Sequence, residues 1–175
     1  ERAHGFDASV ERLLSAGSVR IGAFQTRVND QIDFDLALFG YYNVARARSR
    51  GVEAEANLRL GAATVIAAYA FTDARNLSLD ARALRTPRHR ATLAIDWRAR
   101  PRLSVGGSLA FNGAEADSPA PNGSFTRLDL RARYEISERV EAYGRVENAA
   151  DADYQDVSGY GEPGVAAFGG VRVRL

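Results

Sequence analysis

The side chains here whose type and spacing suit chemistry are charges in rows. Arg127, Asp129, Arg131 and Arg133 alternate with Leu128, Leu130, Ala132 and Tyr134. Glu141, Tyr143, Arg145 and Glu147 alternate with Val140, Ala142, Gly144 and Val146. Arg172 follows in a terminal run whose other parity is Val165, Ala167, Gly169, Val171, Val173 and Leu175. Such rows can guide an anion along a wet surface, or can spend their charge on hydrogen bonds to protein and water; both readings stay open. Other constellations point to less. Asp151, Asp153, Gln155 and Glu162 occupy positions one, three, five and twelve of a calcium-loop template, but Asp156 stands where that template needs glycine, so the stretch reads as a solvated acidic loop. His4 and His89 are the only histidines and lie far apart, and there is no cysteine, so no metal set can be assembled. No Gly-x-Ser-x-Gly elbow or His–Asp partner spacing accompanies the serines. No catalytic residue and no cofactor are therefore expected, and the chain reads as a non-enzyme.

The elements that carry the rows must be strands. Period-two alternation puts one parity on each face of a β-sheet, and tight turns such as Ile136-Ser137-Glu138-Arg139 make neighbours antiparallel. The same alternation recurs upstream: His4 to Leu13, Ser18 to about Phe34, a third run ending at Leu60, then Ala63 to Phe71, Ala91 to Trp97 and Leu103 to Phe111. With the last three runs, that makes about nine strands of an all-β, antiparallel transmembrane barrel section. In the second run the apolar parity moves from Val19/Ile21/Ala23 to Val28/Ile32/Phe34, which predicts a bulge or a segment above the membrane. Arg46, Arg48 and Arg50 likewise occupy the parity that Val52, Ala54 and Ala56 hold later, so either Gly51 marks a bulge or the strand has left the membrane by then.

Short connections near 14–17, 60–62, 99–101 and 136–138 alternate with long ones near 35–42, 73–88, 113–123 and 150–164. Outer-membrane barrels pair brief periplasmic turns with extended outer loops in this way. On that orientation Trp97 and Tyr134 fall in a periplasmic girdle and Phe6, Tyr69, Phe71 and Phe111 in an outer one. No run of about 18 apolar residues offers a transmembrane helix, and a formal net charge of +1 gives no pull toward nucleic acid. Slipping the 127–135 run by one residue would turn its charges into lipid, at about 2–4 kcal/mol for each basic residue at midplane. Ligand candidates are Phe39, Tyr41 and Tyr42 at an outer end, the 73–74 position (Asp73-Ala74) heading the next long segment, and Tyr154 and Tyr160 in the last one. Nine strands would leave two edges unpaired in lipid, so closing strands are expected upstream of Glu1.

Glu147-Asn148-Ala149-Ala150-Asp151-Ala152-Asp153-Tyr154, then Gly159-Tyr160-Gly161-Glu162-Pro163-Gly164 and the final amphipathic strand, resemble the C-terminus of TonB-dependent outer-membrane receptors. Ser49-Arg50-Gly51-Val52-Glu53-Ala54-Glu55 resembles that family's Arg-x-Gly-x-Glu element, and Arg85-Thr86-Pro87-Arg88-His89 is similar to its Pro-x-His. Ala149-Ala150 departs from the family's Leu-Phe, and Leu175 from its terminal aromatic. The resemblance implies that residues 1–175 are the C-terminal portion of a receptor barrel of about 22 strands, without its N-terminal plug and earlier strands. It further implies a bacterial outer-membrane location and energy-coupled uptake of a ferric siderophore or cobalamin, the Gly-Tyr-x-x-Pro-Gly wording leaning toward the vitamin B12 branch. Implied partners are outer-membrane lipid, the receptor's own plug, the TonB complex acting through that plug, the small-molecule nutrient, and the barrel-assembly machinery reading Gly170, Val173 and Leu175. Competing readings are a small structural or adhesive outer-membrane barrel, a soluble lipocalin-like binder with a dry pocket and, more distantly, an outer-membrane hydrolase.

Overall fold

The computed structural model describes residues 1–35 and 39–174, leaving out the side chains at 31, 33, 35 and 42–45. All its regular structure is strand: β1 Arg2–Leu14, β2 Gly17–Asp35, β3 Gly40–Leu60, β4 Ala63–Asn76, β5 Ala81–Arg82, β6 His89–Arg100, β7 Leu103–Asn112, β8 Phe125–Glu135, β9 Val140–Glu147 and β10 Ala166–Val173. Nine long strands form one meander in chain order, every neighbour antiparallel, with the two-residue β5 folded back on the end of β4. Strands β1 and β10 are the two edges and do not pair with each other.

Cross-strand register sorts the side chains onto two faces. Val65, Ile95, Gly107, Leu130 and Val146 lie opposite one another across β4, β6, β7, β8 and β9. Ala67, Leu93, Leu109 and Leu128 make a parallel row. Between β3 and β8 this face carries no charge from Val52 to Leu60 or from Ala91 to Trp97. The charged rows lie on the other face, where β4 and β7 contribute small or uncharged residues between them. Trp97 and Tyr134 stand at the short-turn end of the apolar face, next to Val105 and Leu103, while Tyr69, Phe71 and Phe111 stand at the long-loop end. Eight residues separate Phe71 from Ala63, the partner of Trp97. At 3.3 Å per residue that is about 26 Å along the strand, and roughly 20 Å along the normal after a tilt of about 40°, near the ~25 Å apolar band of a membrane barrel.

Of the two readings left open for each parity change, a bulge or a segment beyond the membrane, the bulge is absent. β2 and β3 keep one register from Gly17↔Leu58 to Asp35↔Gly40, although Asp30 has φ of 56°, and β3 and β4 keep theirs from Ala47↔Asn76 to Leu60↔Ala63. The shift in apolar parity therefore marks where the β2–β4 hairpins rise past the aromatic row. Backbone ladders are indifferent to which face is apolar; only the surroundings change. Gly51 is needed for close approach instead: a Cβ there would lie 2.1 Å from the Phe71 carbonyl oxygen and 2.9 Å from the Phe24 ring. The single register shift, at Arg98/Arg100, sits by a short turn.

The connection expected at 35–42 is also shorter than its sequence suggests, because β2 reaches Asp35 and β3 resumes at Gly40. Hairpin pairing continues well beyond the apolar band. The last strand ends at Val173, and Leu175 lies outside the described residues.

Candidate functional site

The charged face is a wall of paired ions. Arg131 of β8 reaches across β7 to Asp96 of β6 through two hydrogen bonds of 3.0 and 2.6 Å. Gly106 makes that span possible, since a Cβ there would lie 2.7 Å from the Asp96 carboxylate and 3.0 Å from Arg131 Nε. Arg172 donates to Glu141, its cross-strand partner, at 3.0 Å. Along the strands, Arg127 pairs with Asp129 at 3.1 Å and Arg145 with Glu147 at 3.2 Å, while the Arg145 guanidinium also sits 4.4 Å from the Phe168 ring centre. Tyr143 lies over Gly170, where an added Cβ would come 2.6 Å from its hydroxyl. A ring covering a bare cross-strand glycine restores packing that the glycine lacks. Arg133 has no ion pair within 4 Å among the described residues. A cavity of about 420 Å³ opens here, lined by Asp96, Arg131, Arg133, Glu141, Tyr143 and Arg172. The expected wall residues thus share one face and mostly neutralise one another, which favours the hydrogen-bonding reading over a bare anion track.

At the long-loop end, one carboxylate ties three connections together. Asp117 accepts from the backbone N–H of Ser118 (2.8 Å) and Ser158 (2.7 Å), from Arg85 Nε (3.0 Å) and from Asn122 Nδ2 (3.3 Å). Arg85 adds a backbone bond to Ala116. The Ser158 and Ser118 N–H groups, aided by the Arg85 guanidinium against the opposing pull of desolvation, hold the Asp117 carboxyl below the usual carboxylate range. Asn148 anchors the last loop. It is 2 % exposed and sits at φ 49°, a conformation asparagine tolerates better than most residues. Its backbone N–H donates to Asp129, its Nδ2 donates to the carbonyls of Ala152 (2.9 Å) and Pro163 (3.3 Å), and its Oδ1 accepts from the Ala152 N–H (2.8 Å). Two side chains of the would-be calcium template are used locally: the Asp151 carboxylate accepts from the Val165 N–H, and the Gln155 amide oxygen from the Gly159 N–H.

The ligand candidates separate. Phe39 (84 % exposed) and Tyr41 (80 % exposed) stand at the β2–β3 tip, each in edge contact with Phe34 at 5.6 and 5.2 Å. Tyr42's side chain lies outside the described residues. Tyr160 is open to solvent. Tyr154 is instead a pin: 9 % exposed, stacked on Phe125 at 4.3 Å, its hydroxyl accepting from Arg127. It nevertheless borders a cavity of about 310 Å³ shared by Arg85, Arg90, Arg127, Glu115 and Asp156. Ala74 brings only a methyl; the functional group of that pair is Asp73, which lies on the apolar parity and meets four arginines rather than the charged wall. Asp117 and Asn148 were missed as organisers. Asn148 sits within the quoted terminal motif, whereas nothing local to Asp117 announces its three loops.

The geometry has relatives. A family profile described as TonB dependent receptor-like, beta-barrel, matches residues 1–149. Among solved structures, the ferripyoverdine receptor of the outer membrane of Pseudomonas aeruginosa, bound to ferripyoverdine, is similar at a TM-score of 0.82 and 18 % identity, covering 98 % of this chain and 27 % of that one. The ferric-catecholate import receptor Fiu from E. coli K12 is similar at 0.82 and 18 % identity, with the same coverage. The siderophore receptor PiuA from Acinetobacter baumannii is similar at 0.74 and 18 % identity, covering 95 % of this chain and 26 % of that one. The chain spans about a quarter of the length of these receptors.

Proposed function

Because this chain belongs to the TonB-dependent receptor β-barrel family, we propose that it forms the C-terminal wall and several outer loops of a receptor for energy-coupled nutrient uptake across the bacterial outer membrane. The observation that carries this reading is the apolar face that runs uncharged from β3 to β8 between two aromatic rows, backed by a face of paired charges. Lipid meets the first, and a hydrated lumen holding a plug meets the second. The ion-paired wall gives that plug a polar surface to slide against, and force from the TonB complex reaches the cargo through the plug. The barrel-assembly machinery reads the terminal strand through Gly170, Val173 and Leu175.

The cargo class we favour is a ferric siderophore, in keeping with the receptors named above. The Gly159-Tyr160-Gly161-Glu162-Pro163-Gly164 wording, which leans to cobalamin, rests on sequence alone. A small self-closed barrel fits less well, since β1 and β10 remain separate edges. The deciding experiment supplies iron-starved cells, deleted for the full-length protein or complemented with it, with radiolabelled ferric catecholate and hydroxamate chelates and, separately, labelled cobalamin. Uptake of a ferric chelate that needs both the protein and TonB supports the proposal. Cobalamin-only uptake moves the cargo, and no difference for any of them sinks the transport reading.

A further inference from the structure

Past the upper aromatic row, the apolar face changes character within two residues. His4, Arg27, Arg48, Arg75 and Arg82 stand directly opposite one another across β1 to β5. Like charges facing each other across a ladder are destabilising unless an anion stands between them. Arg50 and Arg88 flank that row. Against these six arginines stand Asp73, which lies 3.3 Å from each of Arg48, Arg50 and Arg75 and 4.0 Å from Arg88, and the exposed Asp80, 3.8 Å from Arg75. Among the described residues, these two carboxylates do not neutralise six guanidinium groups, and the buried Arg48 Nε and Arg82 Nη2 have no hydrogen-bond partner there. Beside the arginines, a cavity of about 570 Å³ is lined by Phe6, Val52 and Phe71 together with Arg50, Arg75, Arg88 and the Asp73 carboxylate.

We propose that this patch binds the phosphorylated headgroup of an outer-leaflet lipid, whose phosphate lies among Arg27, Arg48 and Arg75 and whose apolar body lies on Phe6, Val52 and Phe71. The inference rests on the membrane reading above. Its occupant follows from position and chemistry together. The patch faces the side that meets lipid, so a cargo in the lumen cannot reach it. Four residues separate Arg75 from Phe71, about 13 Å along the strand and roughly 10 Å along the normal, just past the headgroup layer of about 5–8 Å; long arginine side chains reach back down to it. Planar guanidinium forks match phosphate oxygens two at a time. The apolar part of the lining runs on into the lipid-facing band, which a free anion would leave uncovered.

The test uses the full-length protein in nonionic detergent and native mass spectrometry. Titrants are phosphatidic acid, phosphatidylcholine and inorganic phosphate. Retention of phosphatidic acid over phosphatidylcholine is expected, falling at least about tenfold in R48Q/R75Q. The charged-wall variant R145Q/R172Q is expected to match wild type. Heat-modifiable migration on gels verifies that each variant is folded. The proposal is overturned if R48Q/R75Q retains phosphatidic acid as wild type does, if R145Q/R172Q loses it equally, or if inorganic phosphate binds as tightly as the lipid. TonB-dependent uptake by the same wild-type protein is read separately, so loss of the lipid site and failure of the receptor reading give different results.

Discussion

At the residue scale, single polar side chains hold the mouth of this sheet in shape. Asp117 joins the 77–88, 113–124 and 148–165 connections, and its depressed pKa sets a direction. A carboxyl whose folded pKa lies below its unfolded value of about 3.9 adds stability above that value and loses it as pH falls through the depressed one. Hydrogen-exchange protection of Ser118 and Ser158 in the full-length protein, taken relative to the intrinsic rate at each pH, should therefore be high near neutrality and be lost only in strong acid. Asp117→Asn should exchange roughly tenfold faster at neutral pH, because a neutral amide gives up the charge-assisted bonds, and should show no acid step. Asn148→Ala takes the side-chain partner from the half-buried Ala152 N–H and C=O, at about 1–3 kcal/mol each, and from the more exposed Pro163 C=O. Local opening of residues 148–165 should become easier by about 2–4 kcal/mol, as hydrogen exchange there would read, with the strands unaffected.

At the element scale, every long strand is named by its alternation, and the reason is physical. When one face meets hydrocarbon and the other water, each position along the strand is constrained to one type. Leu93 lies mid-band beside Ala67 and Leu109. Leu93→Arg should lower the denaturant midpoint of the full-length protein in phosphatidylcholine vesicles by an amount worth about 2–4 kcal/mol. Arg20→Leu on the opposite face, which removes an exposed ion pair with Glu55, should cost within about 1 kcal/mol. Equal costs for the two would mean the faces have been assigned wrongly. The same logic explains where strand reading lost its grip. Above the aromatic row, β2 and β3 have left the hydrocarbon, an apolar parity stops being selected, and a continuous ladder looks from sequence like a bulge.

At the scale of the whole molecule, the open edges of β1 and β10 dominate. An unpaired strand edge in hydrocarbon leaves a row of N–H and C=O groups without partners, each costing several kcal/mol. The isolated 175-residue chain, refolded with lipid vesicles, should give no heat-modifiable barrel band, whereas the full-length protein should. A band from the isolated chain would revive the self-closed alternative.

Sequence alone determined the nine long strands, the two faces and the aromatic rows, because all of these follow from period-two chemistry along a short stretch of chain. Tertiary structure decided which charges meet. The Asp96–Arg131 span over Gly106, the three loops gathered on Asp117 and the arginine row of Arg27, Arg48 and Arg75 join residues tens of positions apart. Those meetings depend on how successive hairpins stagger against one another, and no local pattern records that stagger.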